Sequence, residues 1–259
     1  MLDHLAIAAK YRRWFGRPVF QIGDADDKVE SDLDISRCPL ERYAFEAVHT
    51  FDEVDAADPV KLMPDIPYIH LMLRQCLTEQ RVLFPKSRRV VATWTAKTYL
   101  SWIGLKYKNR NIAIISKKED DAKAEIEHIY EAILANLPAW LRDLYVFEYR
   151  KGRGELEIIS YRGKPWHSKF RSFARGMDQL RRWTVSVYYA DEAGFQENYA
   201  DTVAAGMPTL VSRRGLEGQF IATSSLDSDP NNQFTIQCGG IDNVRRLAGI
   251  AKGEMAEVA

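Results

Sequence analysis

The chain has 259 residues with 36 basic and 36 acidic side chains, so its formal net charge is zero and its sequence pI is about 7.0. With 46% hydrophobic and 11% aromatic residues it can bury a proper core, which excludes a disordered chain, and zero net charge removes any global drive toward nucleic acid. Three scattered cysteines (Cys38, Cys76, Cys238) form neither a disulfide framework nor a zinc spacing, and no apolar run is long enough to span a bilayer, so a soluble intracellular protein is expected.

Residues 3–16 read as a helix closed by Gly16, and residues 21–60 as an acidic, irregular stretch broken by an aromatic-rich segment from Tyr43 to Phe51. Ile69, Leu71, Met72, Leu73 and Cys76 recur at helical spacing and predict a helix over 66–80. "RVLF" predicts a short buried strand ending at Pro85. Trp94, Tyr99, Leu100, Trp102 and Leu105 predict a helix over 92–107 whose aromatics are core rather than base-stacking groups. "NIAIIS" (111–116) reads as a strand, and 117–141 as a long helix stopped before Pro138, with Ala122, Ile126, Ile129, Ile133 and Leu134 on one face. Residues 154–160 and 168–174 alternate as antiparallel strands. Residues 183–193 form a buried strand ending in two acids, 196–206 a helix, and 218–225 an apolar strand ending in hydroxyls. Strands alternating with helices predict an α/β fold, mostly parallel with an antiparallel excursion. The expected division is a helical and irregular N-terminal extension over 1–60, one domain over 61–235, and over 236–259 either a polar tail or a truncated lid or linker.

Three segments could carry chemistry. "PKSRRVVATWT" (85–95) has the rhythm of a phosphate-binding loop between strand and helix. Lys86 would supply charge, the amides near Ser87 to Ala92 the cradle, and Thr93 the hydroxyl for magnesium. It has no glycine, and a strand-turn-helix with two exposed arginines explains it equally well. "VSVYYADEAGF" places Asp191 and Glu192 at the end of a strand, where one acid could hold magnesium and the next polarise water. The alternative is a polar helix start. "FIATSS" ends in Thr223, Ser224 and Ser225, either a γ-phosphate sensor or a Ser-rich turn.

The order phosphate loop, helix, strand, helix, Asp-Glu strand, helix, hydroxyl strand is the layout of an additional-strand P-loop ATPase. Over roughly residues 60–235 the chain resembles the N-terminal ATPase domain of the large subunit of tailed-phage terminases, the DNA-packaging motor. "SRRVVAT" aligns with that family's Ser-Arg-Gln-x-Gly-Lys-Thr loop. Ser87, Arg88 and Arg89 match its opening and Thr93 its end, while Val90 lies within it and Val91 and Ala92 replace Gly-Lys. "KSRR" resembles the deviant form whose lysine moves to the front, which makes Lys86 the phosphate lysine. "IAIISKKEDDAKAEIEHIYEAILANLPAWL" resembles the strand-helix segment after the loop, "SFARGMDQLRRWTVSVYYADEA" the approach to Walker B, and "IATSS" the coupling motif.

The resemblance implies Asp191 and Thr93 as magnesium ligands, Glu192 as catalytic base, and Thr223, Ser224 and Ser225 as coupling residues. Arg88 would be an arginine finger in cis and Arg175 one in trans. Tyr68 and Gln75 are the residues nearest an adenine-binding element, and both equally fit an ordinary helix. ATP and Mg²⁺ are the implied cofactors, and ATP hydrolysis, weak in isolation, the implied reaction. The implied partners are double-stranded DNA, the capsid portal protein, the small terminase subunit and further copies in a ring on the portal. The implied location is the cytoplasm of an infected bacterial host. The resemblance implies a nuclease domain that normally follows; it is expected to be absent from this chain, so no nuclease activity is expected. Two other functions remain: a degenerate ATPase fold serving as a structural or DNA-binding motor subunit, and a helicase-like nucleic-acid ATPase.

Overall fold

Short runs rich in Val, Ile, Phe and Tyr, which suit the pleated surface of a strand, build a seven-stranded sheet. The computed structural model describes residues 39–51, 59–86, 91–144, 147–161, 163–173, 183–210, 218–225, 229, 231–240 and 242. The strands of the large sheet are β3 (Arg81–Lys86), β4 (Asn111–Ile115), β5 (Phe147–Gly152), β6 (Glu155–Tyr161), β7 (Lys164–Phe173), β8 (Val187–Asp191) and β9 (Gln219–Ser225). Their spatial order is β3-β9-β8-β4-β7-β6-β5. The first five pair in parallel, and β6 and β5 extend the sheet by antiparallel pairing. A separate ribbon pairs β1 (His49–Phe51) with β2 (Val60–Leu62). The mostly parallel α/β sheet expected from the sequence is the one observed, and β9 is the additional strand, inserted between β3 and β8.

Helices cover both faces. Among the described residues the α-helices are α1 (Leu40–Glu46), α2 (Pro67–Thr78), α3 (Ala92–Lys106), α4 (Glu119–His128), α5 (Ala139–Leu144), α6 (Tyr199–Gly206) and α7 (Gln233–Gln237). Strand side chains alternate between two cores, as their two-residue period demands. Ile112, Ile114, Val187, Tyr189 and Ile221 join the core that contains α1, α2 and α3. Ala113, Ile115, Tyr188, Ala190, Phe220 and Ala222 join the other, with Tyr199 and Phe234. Because both faces are covered, β8 is buried at every position, which is why it reads as a continuous apolar run.

α3 lies at the centre. Every residue from Thr95 to Leu105 is buried, so Tyr99 and Trp102 are core aromatics as expected. Its hydroxyls are satisfied locally: Thr95 and Thr98 donate to the carbonyls four residues back, and Ser101 meets the Tyr43 hydroxyl at 2.9 Å.

Three expectations change. Leu40, Tyr43, Ala44, Ala47 and Val48 are all buried, so part of the stretch taken as irregular is a helix and strand sharing the main core. The helix expected over 117–141 has three parts: α4, a π-helical stretch over Ile129–Leu134, and α5 after Pro138, whose ring interrupts the ladder. β5 was not expected, because an edge strand of sequence "FEYRKG" has no apolar run. α7 (Gln233–Gln237) runs across residue 236, the expected start of the polar tail, and its Phe234, just before that boundary, is fully buried. The helix expected over 3–16 lies outside the described residues.

Candidate active site

The strand register assembles the site. Asp191 at the end of β8 pairs with Thr223 of β9, and Lys86 at the end of β3 pairs with Ser225 of β9. All four therefore lie at the carboxyl edge of the parallel sheet, where ligands of open α/β folds bind. Thr93 enters from the first turn of α3.

Asp191 Oδ1 is the focus. It accepts from Thr223 Oγ1 at 2.6 Å, Tyr189 Oη at 2.9 Å and Thr93 Oγ1 at 3.3 Å. The Lys86 ammonium stands 3.8 Å from the same oxygen, 3.0 Å from Glu192 Oε1, and donates to Thr93 Oγ1 at 2.8 Å. Lys86 and Asp191 side chains are only 10% and 8% exposed, so their attraction is little screened by water; Glu192 is 27% exposed and reaches the open side. Burial, and next the Asp191 charge, hold the Tyr189 phenol well above its usual range, so it stays a hydrogen-bond donor.

Glu192 has φ 48° and ψ 42°, a left-handed conformation uncommon outside glycine, and a 3-10 turn over Ala193–Phe195 follows it. Three polar contacts fix this corner. Gln196 Nε2 donates to the Asp191 carbonyl at 2.9 Å, the Gly194 amide donates to Ser224 Oγ at 2.9 Å, and Asn232 Nδ2 donates to the Gly194 carbonyl at 2.7 Å.

A second charged cluster lies one helical turn along α3. The Lys97 ammonium, its side chain 3% exposed, pairs with Glu125 of α4 at 2.8 Å, meets His128 Nδ1 at 3.0 Å and lies 4.1 Å over the Trp94 ring. Burial raises the Glu125 pKa, opposed by Lys97 and reinforced by Asp191. Burial, then the Lys97 charge, lowers His128 to about 4, so its imidazole is neutral and accepts from Lys97.

The structure thus brings together Lys86, Thr93, Asp191, Glu192, Thr223 and Ser224. Ser225 contributes a carbonyl that accepts from Ser224 Oγ at 2.8 Å. Ala92 is 1% exposed and packs in the core. Val91 and Tyr68 pack partly buried against the same core. Gln75 is not at the site. It lies beside Cys76, whose carbonyl accepts from Gln219 at the opposite end of β9, about 13 Å of strand away from Thr223. Ser87, Arg88, Arg89, Val90 and Arg175 lie outside the described residues. Among the described residues no group of three or more His, Cys, Asp or Glu forms a metal cage, and no helix is long and apolar enough to cross a membrane.

Sequence reasoning missed Tyr189, Gln196, Asn232 and the Lys97–Glu125 pair. For Tyr189 a signal existed: two residues before Asp191 on a strand, it must share that residue's face. The other contacts depend on tertiary folding.

No family model matches the chain, and no curated protein matches it. Solved structures do. The ATPase domain of the large terminase of Thermus phage P74-26 is 18% identical, with 66% of this chain and 68% of that chain covered and a TM-score of 0.53. A mutant of the same domain gives 17% identity, 66% and 69% coverage and a TM-score of 0.51. The HK97 bacteriophage large terminase is 13% identical over 75% of this chain and 39% of that one, with a TM-score of 0.49. The chain has the P-loop-type α/β fold seen in the ATPase domains of phage large terminases.

Proposed function

We propose that this chain is the ATPase domain of a viral DNA-packaging motor, coupling Mg-ATP hydrolysis to translocation of double-stranded DNA. The observation that carries the proposal is the meeting of Lys86, Thr93, Asp191 and Glu192 at the carboxyl edge of the sheet, against the N-terminus of α3. The fold shared with terminase ATPase domains supports it.

The donor set fits the substrate and its metal. Asp191 and Thr93 offer one carboxylate and one hydroxyl, hard oxygen ligands of the kind magnesium takes alongside phosphate oxygens. Magnesium, when bound, neutralises charge on the phosphates. Lys86 would bind phosphate oxygens, with the α3 N-terminal amides adding partial positive charge. Glu192 would orient the attacking water and take its proton as the bond to the terminal phosphorus forms and ADP leaves. Thr223, linked to Asp191, and Ser224, linked to Gly194, would carry the phosphate state into β9. The portal protein, the small terminase subunit and a ring of copies in the host cytoplasm belong to the same proposal, as do Arg88 and Arg175 as arginine fingers and Tyr68 near the adenine.

Steady-state ATP hydrolysis, with and without Mg²⁺ and double-stranded DNA, tests it. Magnesium-dependent turnover stimulated by DNA is expected. Turnover absent under all conditions would favour a structural motor subunit, and stimulation by single-stranded nucleic acid alone a helicase-like ATPase.

A further inference from the structure

Gly194 is held from two sides by side chains of different segments. Ser224 Oγ accepts from its amide at 2.9 Å, and Asn232 Nδ2 donates to its carbonyl at 2.7 Å. A Cβ at this position would stand 2.9 Å from Ser224 Oγ, 3.2 Å from the Ser225 carbonyl and 3.6 Å from Asn232 Oδ1, so the peptide is gripped at close quarters. Gly194 lies two residues beyond Glu192, whose left-handed backbone persists only where its surroundings over-determine it.

Asn232 uses both ends of its amide. While Nδ2 holds Gly194, Oδ1 accepts from the Thr235 amide at 3.0 Å and from Thr235 Oγ1 at 3.2 Å, capping α7. α7 is itself anchored: Phe234 is fully buried with its ring 6.1 Å from that of Tyr199, and the Tyr199 hydroxyl donates to Gln237 Oε1 at 2.9 Å. The contact chain runs from the core through α7 and Asn232 to the corner that carries Glu192.

We infer that Asn232 is a positioning residue for Glu192, and that the segment carrying α7 is a latch on the catalytic corner. The inference rests on Glu192 acting as the base of an ATPase. Ser224 and Asn232 fix opposite sides of one glycine, so a shift of either the end of β9 or α7 moves the backbone that aims the carboxylate. A displacement of about 1 Å at such a group is enough to change a rate by two orders of magnitude.

Asn232→Ser isolates the contact, because serine caps a helix about as well as asparagine but is too short to reach Gly194. Asn232→Asp keeps the cap acceptor and loses the donor. In both variants kcat for ATP hydrolysis should fall roughly tenfold or more while KM for ATP stays within about twofold. Amide hydrogen exchange should quicken at residues 193–196 and not at 219–223. A merely structural role would instead lower the urea midpoint and move both regions together. Unchanged exchange at 193–196 overturns the latch, whether or not the wild type hydrolyses ATP. Faster exchange with unchanged kcat overturns the positioning role. A wild type without turnover removes the ATPase proposal and the positioning role with it, while exchange still decides the latch.

Discussion

Thr223 donates its hydroxyl to Asp191 at 2.6 Å and meets the Tyr189 hydroxyl at 2.9 Å, closing a buried triangle at the carboxyl edge of the sheet. Thr223 is fully buried and Asp191 nearly so, and no solvent can replace the bonds if one hydroxyl is lost. Thr223→Val keeps the volume and removes the donor. It should destabilise the fold by about 2 kcal/mol in urea unfolding, within the range for bonds to charged groups. Tyr189→Phe should do the same by about 1–2 kcal/mol. A loss below about 0.5 kcal/mol in both would show that Asp191 does not depend on them.

Lys86 and Glu192, 3.0 Å apart, have separable consequences in the proposed reaction. Glu192→Gln keeps the size and loses the base, so turnover should drop by about a hundredfold or more with nucleotide affinity retained. Lys86→Ala removes the cation and should weaken affinity and turnover together. Isothermal titration with a non-hydrolysable ATP analogue and a steady-state phosphate assay measure the two effects. Unchanged hydrolysis in Glu192→Gln would remove the assignment of the base.

The site was legible in sequence wherever one segment supplied the signal. The apolar run before Asp191-Glu192 marked a strand, its acids marked the carboxyl edge, and "IATSS" marked a hydroxyl-bearing strand. Their meeting was not legible from any single segment, because it depends on β9 lying between β3 and β8 in a fixed register. The order of the elements conveyed it only through the resemblance to a known layout. Residues 40–48 show the opposite failure. Leu40, Tyr43, Ala44 and Ala47 have helical spacing, but the acidic stretches on both sides hid the pattern. β5 escaped because its inward residues, Phe147 and Tyr149, are only two and alternate with charge. The Lys97–Glu125 pair joins helices whose approach no local pattern predicts.

Gly104 of α3 faces β7 with no room for a side chain: an added Cβ would be 2.5 Å from Phe170 Cζ and 3.5 Å from Ile158 Cδ1. Alanine favours a helix by about 1 kcal/mol over glycine, but overpacking typically costs about 1–3 kcal/mol. Phe170 is fully buried and has little space to yield, so the cost should win. Gly104→Ala is expected to lower stability by about 1–2 kcal/mol in urea unfolding, and a gain would show that the β7 side can relax.

His128 supplies the pH test. Its folded pKa is about 4, depressed by burial and then by Lys97, against about 6.5 for an exposed imidazole. Between those values the unfolded chain binds a proton that the folded chain does not, so stability rises with pH in that window and is lost as pH falls from 6.5 toward 4. Partial exposure reduces the effect to on the order of 1–2 kcal/mol. Glu125, whose pKa is raised by burial, acts in the opposite sense, so the wild-type curve alone would mix the two. His128→Gln offers Lys97 a carbonyl oxygen that does not titrate, and the difference between wild type and variant isolates the imidazole. Urea midpoints at pH 7 and pH 4.5 should show the wild type losing ground to His128→Gln on acidification. A difference independent of pH would mean that His128 titrates as it would in water, and that Lys97 is turned away from its ring.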